Sequence, residues 1–74
     1  MIEGTLNKML SGRWAVCRSG KNPIEIMSGD VFRIEVNGKM RLTRMEFEEG
    51  RGYYSVDDYE LKSGLRAALE RHRA

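Results

Sequence analysis

Apolar side chains recur at every second position along this chain. Between Asp30 and Val36, Phe32, Ile34 and Val36 alternate with Val31, Arg33 and Glu35. That is the pattern of a strand with one buried face. Trp14 with Val16, Ile24 with Ile26, and Tyr54 with Val56 repeat it at shorter length. Turn signals separate these runs: Ser11-Gly12, Gly20-Lys21-Asn22-Pro23, Ser28-Gly29-Asp30, Asn37-Gly38, Gly50-Arg51-Gly52 and Ser63-Gly64. Their spacing, roughly 8–12 residues, is that of a small sandwich or barrel.

Asn37-Gly38 is a strong hairpin signal, because both residues tolerate positive φ. A strict two-residue turn pairs Val36 with Lys39 and Ile34 with Arg41. It thereby sets Met40 and Leu42 on the face of Arg33 and Glu35, which leaves an apolar surface outside the barrel. A loop one residue longer, or a bulged one, keeps Met40 and Leu42 inside. The longer or bulged loop is the expectation, since register normally follows the buried face. The apolar step from Leu42 to Met45 is odd, so a β-bulge is expected near Thr43-Arg44, bending the strand as a barrel corner requires.

Both ends read differently. Thr5 to Leu10 reads as one or two helical turns, with Thr5 as N-cap and Leu6, Met9 and Leu10 packing. At the other end Leu61, Leu65 and Leu69 repeat at helical spacing, whereas Leu65, Ala67 and Leu69 alternate like a strand. The organisation expected is an N-terminal extension over residues 1–11, one β domain over 12–70 and a basic tail over 71–74. The expected core is Trp14, Val16, Ile24, Ile26, Phe32, Ile34, Val36, Leu42, Met45, Phe47, Tyr54, Val56, Leu65 and Leu69.

A chain of 74 residues buries only about 60% of its unfolded surface and is marginal in stability. One cysteine makes no internal disulfide, and one histidine with one cysteine makes no four-ligand zinc site. Apolar packing or self-association must therefore supply the stability. At 41% apolar and 32% charged residues, the composition is that of a globular chain. No apolar run approaches the roughly 20 residues of a membrane-spanning helix. Residues 1–10 lack the basic and apolar regions of a signal peptide. With a lone thiol, the cytoplasm is the expected compartment.

Residues that carry catalysis are sparse. His72 stands near the terminus between Arg71 and Arg73, where a general base finds no fixed partner. Cys17 has Arg18 beside it but no histidine placed to serve it. Glu46, Glu48 and Glu49, and then Asp57, Asp58 and Glu60, lack the alternation of a calcium loop. Gly50-Arg51-Gly52 lacks the Gly-Lys-Ser/Thr of a phosphate loop. The expectation is a protein that is not an enzyme, without cofactor, metal or small-molecule substrate.

Two constellations point to binding. Arg33, Lys39, Arg41 and Arg44 stand on the central hairpin, where a shared outward face makes a basic stripe. Trp14, Tyr53 and Tyr54 offer stacking surfaces beside it, a pairing that small barrels use on single strands of nucleic acid. A net charge of +2 is small for that role. Against it stand five methionines, adaptable in contact, and the unpaired strand edges of an open barrel. Contact with a protein partner or self-association, with Met40 and Tyr53 as contact residues, is therefore the leading expectation. Nucleic-acid binding through Arg33, Lys39, Arg41 and Arg44 is the alternative.

The order of short motifs resembles a known family. Gly12-Arg13-Trp14, Ser28-Gly29-Asp30-Val31-Phe32, Asn37-Gly38-Lys39, Leu42-Thr43-Arg44-Met45-Glu46, Tyr53-Tyr54 and Gly64-Leu65-Arg66 follow one another as in a small bacterial domain family of unknown function, found in Gram-positive bacteria and their mobile elements. The resemblance implies an SH3-like, partly open barrel of five short strands, closed by residues 64–69. It carries no activity and no ligand. Ala67-Ala68 replaces the β-branched residues of that closing strand, so an α+β fold with a C-terminal helix over 61–73 stays open. Met40 stands where the family commonly has an aromatic residue.

Overall fold

The computed structural model describes residues 1–70; His72 and the tail expected over 71–74 lie outside them. The described chain is all-β. Its strands are β1 (Ile2–Lys8), β2 (Trp14–Cys17), β3 (Ile24–Glu25), β4 (Val31–Val36), β5 (Lys39–Glu48), β6 (Gly52–Ser55) and β7 (Arg66–Glu70). They form one sheet in the order β3-β2-β1-β7-β4-β5-β6, curled into an open half-barrel. The described residues contain no helix long and apolar enough to cross a membrane.

The inward side chains make one core: Leu6, Trp14, Val16, Ile26, Phe32, Ile34, Met45, Ala67 and Leu69. Ile2, Ile24, Val36, Tyr53, Tyr59, Leu61 and Leu65 pack against it from partly buried positions. Strand alternation accounts for the set. In β4, Phe32 and Ile34 are fully buried, whereas Arg33 between them faces out beside Leu42 and Ala68.

The N-terminus is the first correction. Thr5 to Lys8, expected as helical turns in an extension, continue a strand that pairs with β2 on one side and β7 on the other. Leu6 is fully buried, Leu10 is fully exposed, and a turn at Met9–Gly12 links β1 to β2. Strand count thus reaches seven rather than five. Pairing overrides the local helical tendency here: β2 takes up the backbone groups of alternate residues of β1, and β7 those of the residues between.

The C-terminus resolves by the same principle. Arg66–Glu70 is a strand inserted between β1 and β4, not part of a helix over 61–73. Ala67 sits opposite both Gly4 and Ile34, at the crowded inner face, where a small side chain fits.

The hairpin corrects a second expectation. Val36 pairs with Lys39 and Ile34 with Arg41, the strict two-residue register. Asn37 and Gly38 both have positive φ, 51° and 81°, as a type I′ turn demands. Met40 and Leu42 accordingly stand on the outer face, and Leu42 is 50% exposed. The bulge expected near Thr43-Arg44 is not formed. Thr43 and Met45 are buried with Arg44 exposed between them, so inward alternation runs through without a phase change. Phe47 and Val56, expected in the core, are exposed as well. Phe47 lies near the far end of β5, and Val56 follows β6 opposite the outward Arg44, since Tyr53 and the buried Ser55, not Tyr54 and Val56, take the inward phase. Tyr54 is only partly buried.

A buried polar contact joins β5 to the chain beyond β6. Thr43 Oγ1 and Ser55 Oγ lie 3.0 Å apart, and Ser55 Oγ accepts the Tyr59 backbone N–H at 3.1 Å. Replacing Ser55 by alanine strands both groups in an apolar setting. We expect a loss of about 1–3 kcal/mol in urea unfolding, and the interpretation fails if stability is unchanged.

Candidate functional site

The open side of the half-barrel is an aromatic cleft between the β1–β2 corner and β6. Two adjoining hollows of about 390 and 230 Å³ share Lys8, Trp14, Arg51 and Tyr53 as walls and so form one groove. Trp14 is 8% exposed, its ring at the floor of the groove. Lys8 pairs with it in register and holds its Nζ 5.8 Å from the ring centroid, within the range of a cation–π attraction.

The opposite wall is built by the β5–β6 hairpin. Phe47 and Tyr53 are cross-strand partners, so their rings share a face and meet at 4.9 Å with planes tilted by 57°. Phe47 is 53% exposed, a large apolar surface at the groove mouth. The Gly50–Gly52 turn brings Arg51 back over Tyr54, its guanidinium 3.9 Å from the ring centroid. Arg51 also donates to Asp58, and that hydrogen bond raises its pKa above the ordinary value. The walls of the groove thus carry two cations, Lys8 and Arg51, and two acids, Asp58 bound to Arg51 and Glu60 bound to Lys62.

The hairpin cations do not form one stripe. Pairing of Arg33 with Leu42 and of Ile34 with Arg41 sends Arg33 and Arg44 to the outer face, and Lys39 and Arg41 to the inner one. Arg33 and Arg44 are engaged by carboxylates as well, Arg33 with Glu70 at 3.2 Å and Arg44 with Glu46 at 2.7 Å. Tyr53 lies in the groove, and Met40 lies on the outer face of β5, away from it.

Sequence reasoning missed Lys8, Phe47 and Arg51 as groove residues. Lys8 was hidden by the helical reading of residues 5–10, and Phe47 by its expected place in the core. The run Gly50-Arg51-Gly52-Tyr53-Tyr54 did carry a signal: a tight turn returns a cation onto the aromatic strand that follows it. Among the described residues no cluster of three or more His, Cys, Asp or Glu side chains has the geometry to hold a metal ion. Cys17 is a free, partly buried thiol.

Comparison with protein-family models, with curated proteins and with solved structures finds no match to this chain.

Proposed function

We propose that this protein is a non-enzymatic binding module whose aromatic groove receives an extended, apolar segment of a protein partner. The observation that carries the reading is the exposed aromatic wall: Phe47 and Tyr53 stand beside Trp14 in a groove of balanced charge. Grooves with aromatic walls suit proline-rich extended segments, which are already ordered before binding. The peptide edge of β6 adds a second means of contact. Even-numbered residues of β5 bond to β6, as the Val56 N–H to Arg44 C=O bond of 3.0 Å indicates. The backbone N–H and C=O of Tyr53 therefore point away from β5.

Charge favours protein over nucleic acid as the ligand. Phosphate backbones need a row of uncompensated cations, whereas of the two groove cations Arg51 is taken by Asp58, and Glu60 adds a further negative charge to the same wall. The free thiol of Cys17 suits a reducing compartment, and we assign the module to the bacterial cytoplasm on that ground and on the family resemblance.

Trp14 is the single tryptophan and reports directly on the groove. Panning a random dodecapeptide library on the immobilised protein is expected to enrich proline- and aromatic-rich sequences that change Trp14 fluorescence. Tyr53→Ala or Phe47→Ala should weaken those peptides by about tenfold, the effect of removing one contact of about 1.4 kcal/mol. Failure to enrich any peptide sensitive to Tyr53, with oligodeoxythymidylate quenching Trp14 at low salt instead, replaces this reading with a nucleic-acid one.

A further inference from the structure

The long strand β5 is paired on both edges only in part. Its first six residues, Lys39 to Arg44, pair with β4, and its last four, Met45 to Glu48, pair with β6. Among the described residues, no strand lies against the edge of residues 39–43 opposite β4. The direction of the backbone groups follows from two hydrogen bonds. Met45 N–H donates to Asp30 C=O at 2.9 Å, and Val56 N–H donates to Arg44 C=O at 3.0 Å. Odd residues of β5 thus bond toward β4 and even residues toward the other edge. Met40 and Leu42 therefore direct their N–H and C=O groups to the open side.

The side chains around that edge are sorted by face. Met40 and Leu42 lie on the outer face, where Leu42 is half exposed. Lys39 and Arg41 lie on the opposite face, and both are exposed. Among the described residues, ion pairs engage Arg13, Arg33, Arg44, Arg51 and Lys62, and none engages Lys39 or Arg41. The edge thus combines open backbone groups, two apolar side chains and two uncompensated cations.

We propose that this edge takes up an extended acidic segment of another polypeptide as an added strand. Directly opposed residues in a strand pair share a face. The added segment consequently alternates, with acidic side chains opposite Lys39 and Arg41 and apolar ones opposite Met40 and Leu42. Backbone pairing supplies affinity, and the alternation supplies selectivity. A second copy of this chain fits poorly. Antiparallel pairing across the same edge sets the basic residues of one copy against those of the other, and like charges opposed in a sheet are destabilising. The site is independent of the aromatic groove and does not rest on its assignment.

An alternating Glu-Val hexapeptide, blocked at both ends, is the probe, and amide hydrogen exchange is the readout. Saturating peptide is expected to slow exchange at the Met40 and Leu42 amides, the signature of strand addition, while leaving Trp14 fluorescence unchanged. An alternating Lys-Val hexapeptide should have no effect. Lys39→Glu with Arg41→Glu should weaken the Glu-Val peptide by about tenfold, through loss of two ion pairs and gain of repulsion, and should instead accept the Lys-Val peptide. Unchanged exchange at Met40 and Leu42 in the parent protein overturns the proposal, whatever the variant does. So does slowing that grows with protein concentration in the absence of peptide, which identifies a second copy. Slowing produced equally by oligodeoxythymidylate or by the Lys-Val peptide also overturns it. A peptide that perturbs Trp14 without protecting these amides belongs to the groove, and that result removes the edge while leaving the groove intact.

Discussion

A chain that lacks residues 1–8 is expected to lose cooperative folding altogether. Those residues contain all of β1 (Ile2–Lys8), which lies between β2 and β7 in the sheet. Without it the β3–β2 pair is cut off from the β7-β4-β5-β6 sheet, and both cut edges expose unpaired backbone. The loss reaches the core through Leu6, which is fully buried. Its N–H donates to Leu65 C=O and its C=O accepts from Gly64 N–H, both at 2.7 Å. Leu6→Ala alone should cost about 2–5 kcal/mol as a buried large-to-small change. A domain of this size holds roughly 4–11 kcal/mol in total, at about 0.05–0.15 kcal/mol per residue. Thermal unfolding followed by circular dichroism checks both variants. The truncated chain should show no sigmoidal transition, and Leu6→Ala should melt at a clearly lower temperature. A truncated chain with a parent-like transition would sink the assignment of β1 to the core of the fold.

Gly4→Ala is expected to destabilise the protein by about 1–3 kcal/mol or more, as overpacking does where the neighbour is backbone. Gly4 lies on the inner side of β1, opposite Ala67. The chain leaving β2 folds closely across it. A Cβ at this position would lie well inside contact distance of the Cys17 carbonyl oxygen, and 3.0 Å from both Val16 Cγ1 and Arg18 Cγ. A carbonyl held in a strand cannot swing aside as a side-chain tip can. Urea unfolding of Gly4→Ala beside Gly20→Ala provides the comparison. Gly20 has a positive φ of 71° but nothing within 4 Å of a Cβ, so its substitution carries backbone strain of about 1 kcal/mol without a clash. Equal losses at the two positions would remove the close approach of β2 as the cause.

The central strands were legible because their signal is local. Phe32 and Ile34 alternate with charged or outward residues over a run long enough to define a period. Asn37-Gly38 encodes its own turn, since few other residues accept positive φ at both positions. The register it imposes was weighed against the burial of Leu42, and the turn prevailed. Exposing Leu42 and Met40 costs less than distorting a type I′ hairpin whose opposite face already buries Phe32, Ile34 and Thr43.

The two ends carry weaker signals than the centre: Thr5 to Leu10 reads as helical turns, and at the C-terminus the strand alternation of Leu65, Ala67 and Leu69 stands beside a helical repeat of Leu61, Leu65 and Leu69. Each becomes a strand because the other, together with β2 and β4, leaves backbone groups to be paired. The same dependence hid the groove. Lys8 meets Trp14 only once β1 is a strand, and Phe47 reaches the groove mouth only because β5 runs on beyond the core. The basic stripe failed for a simpler cause: Arg33 and Arg41 sit on opposite faces as soon as the turn has two residues.

Side-chain period and turn chemistry act within a few residues, so the amino-acid order alone determined an all-β chain, the β4–β5 hairpin and most of its buried face. Which edges meet, and hence the strand character of both ends, the aromatic groove and the open edge at Met40–Leu42, depends on backbone groups far apart in sequence. Those groups must find partners when the sheet curls, and that requirement exists only in the assembled tertiary structure.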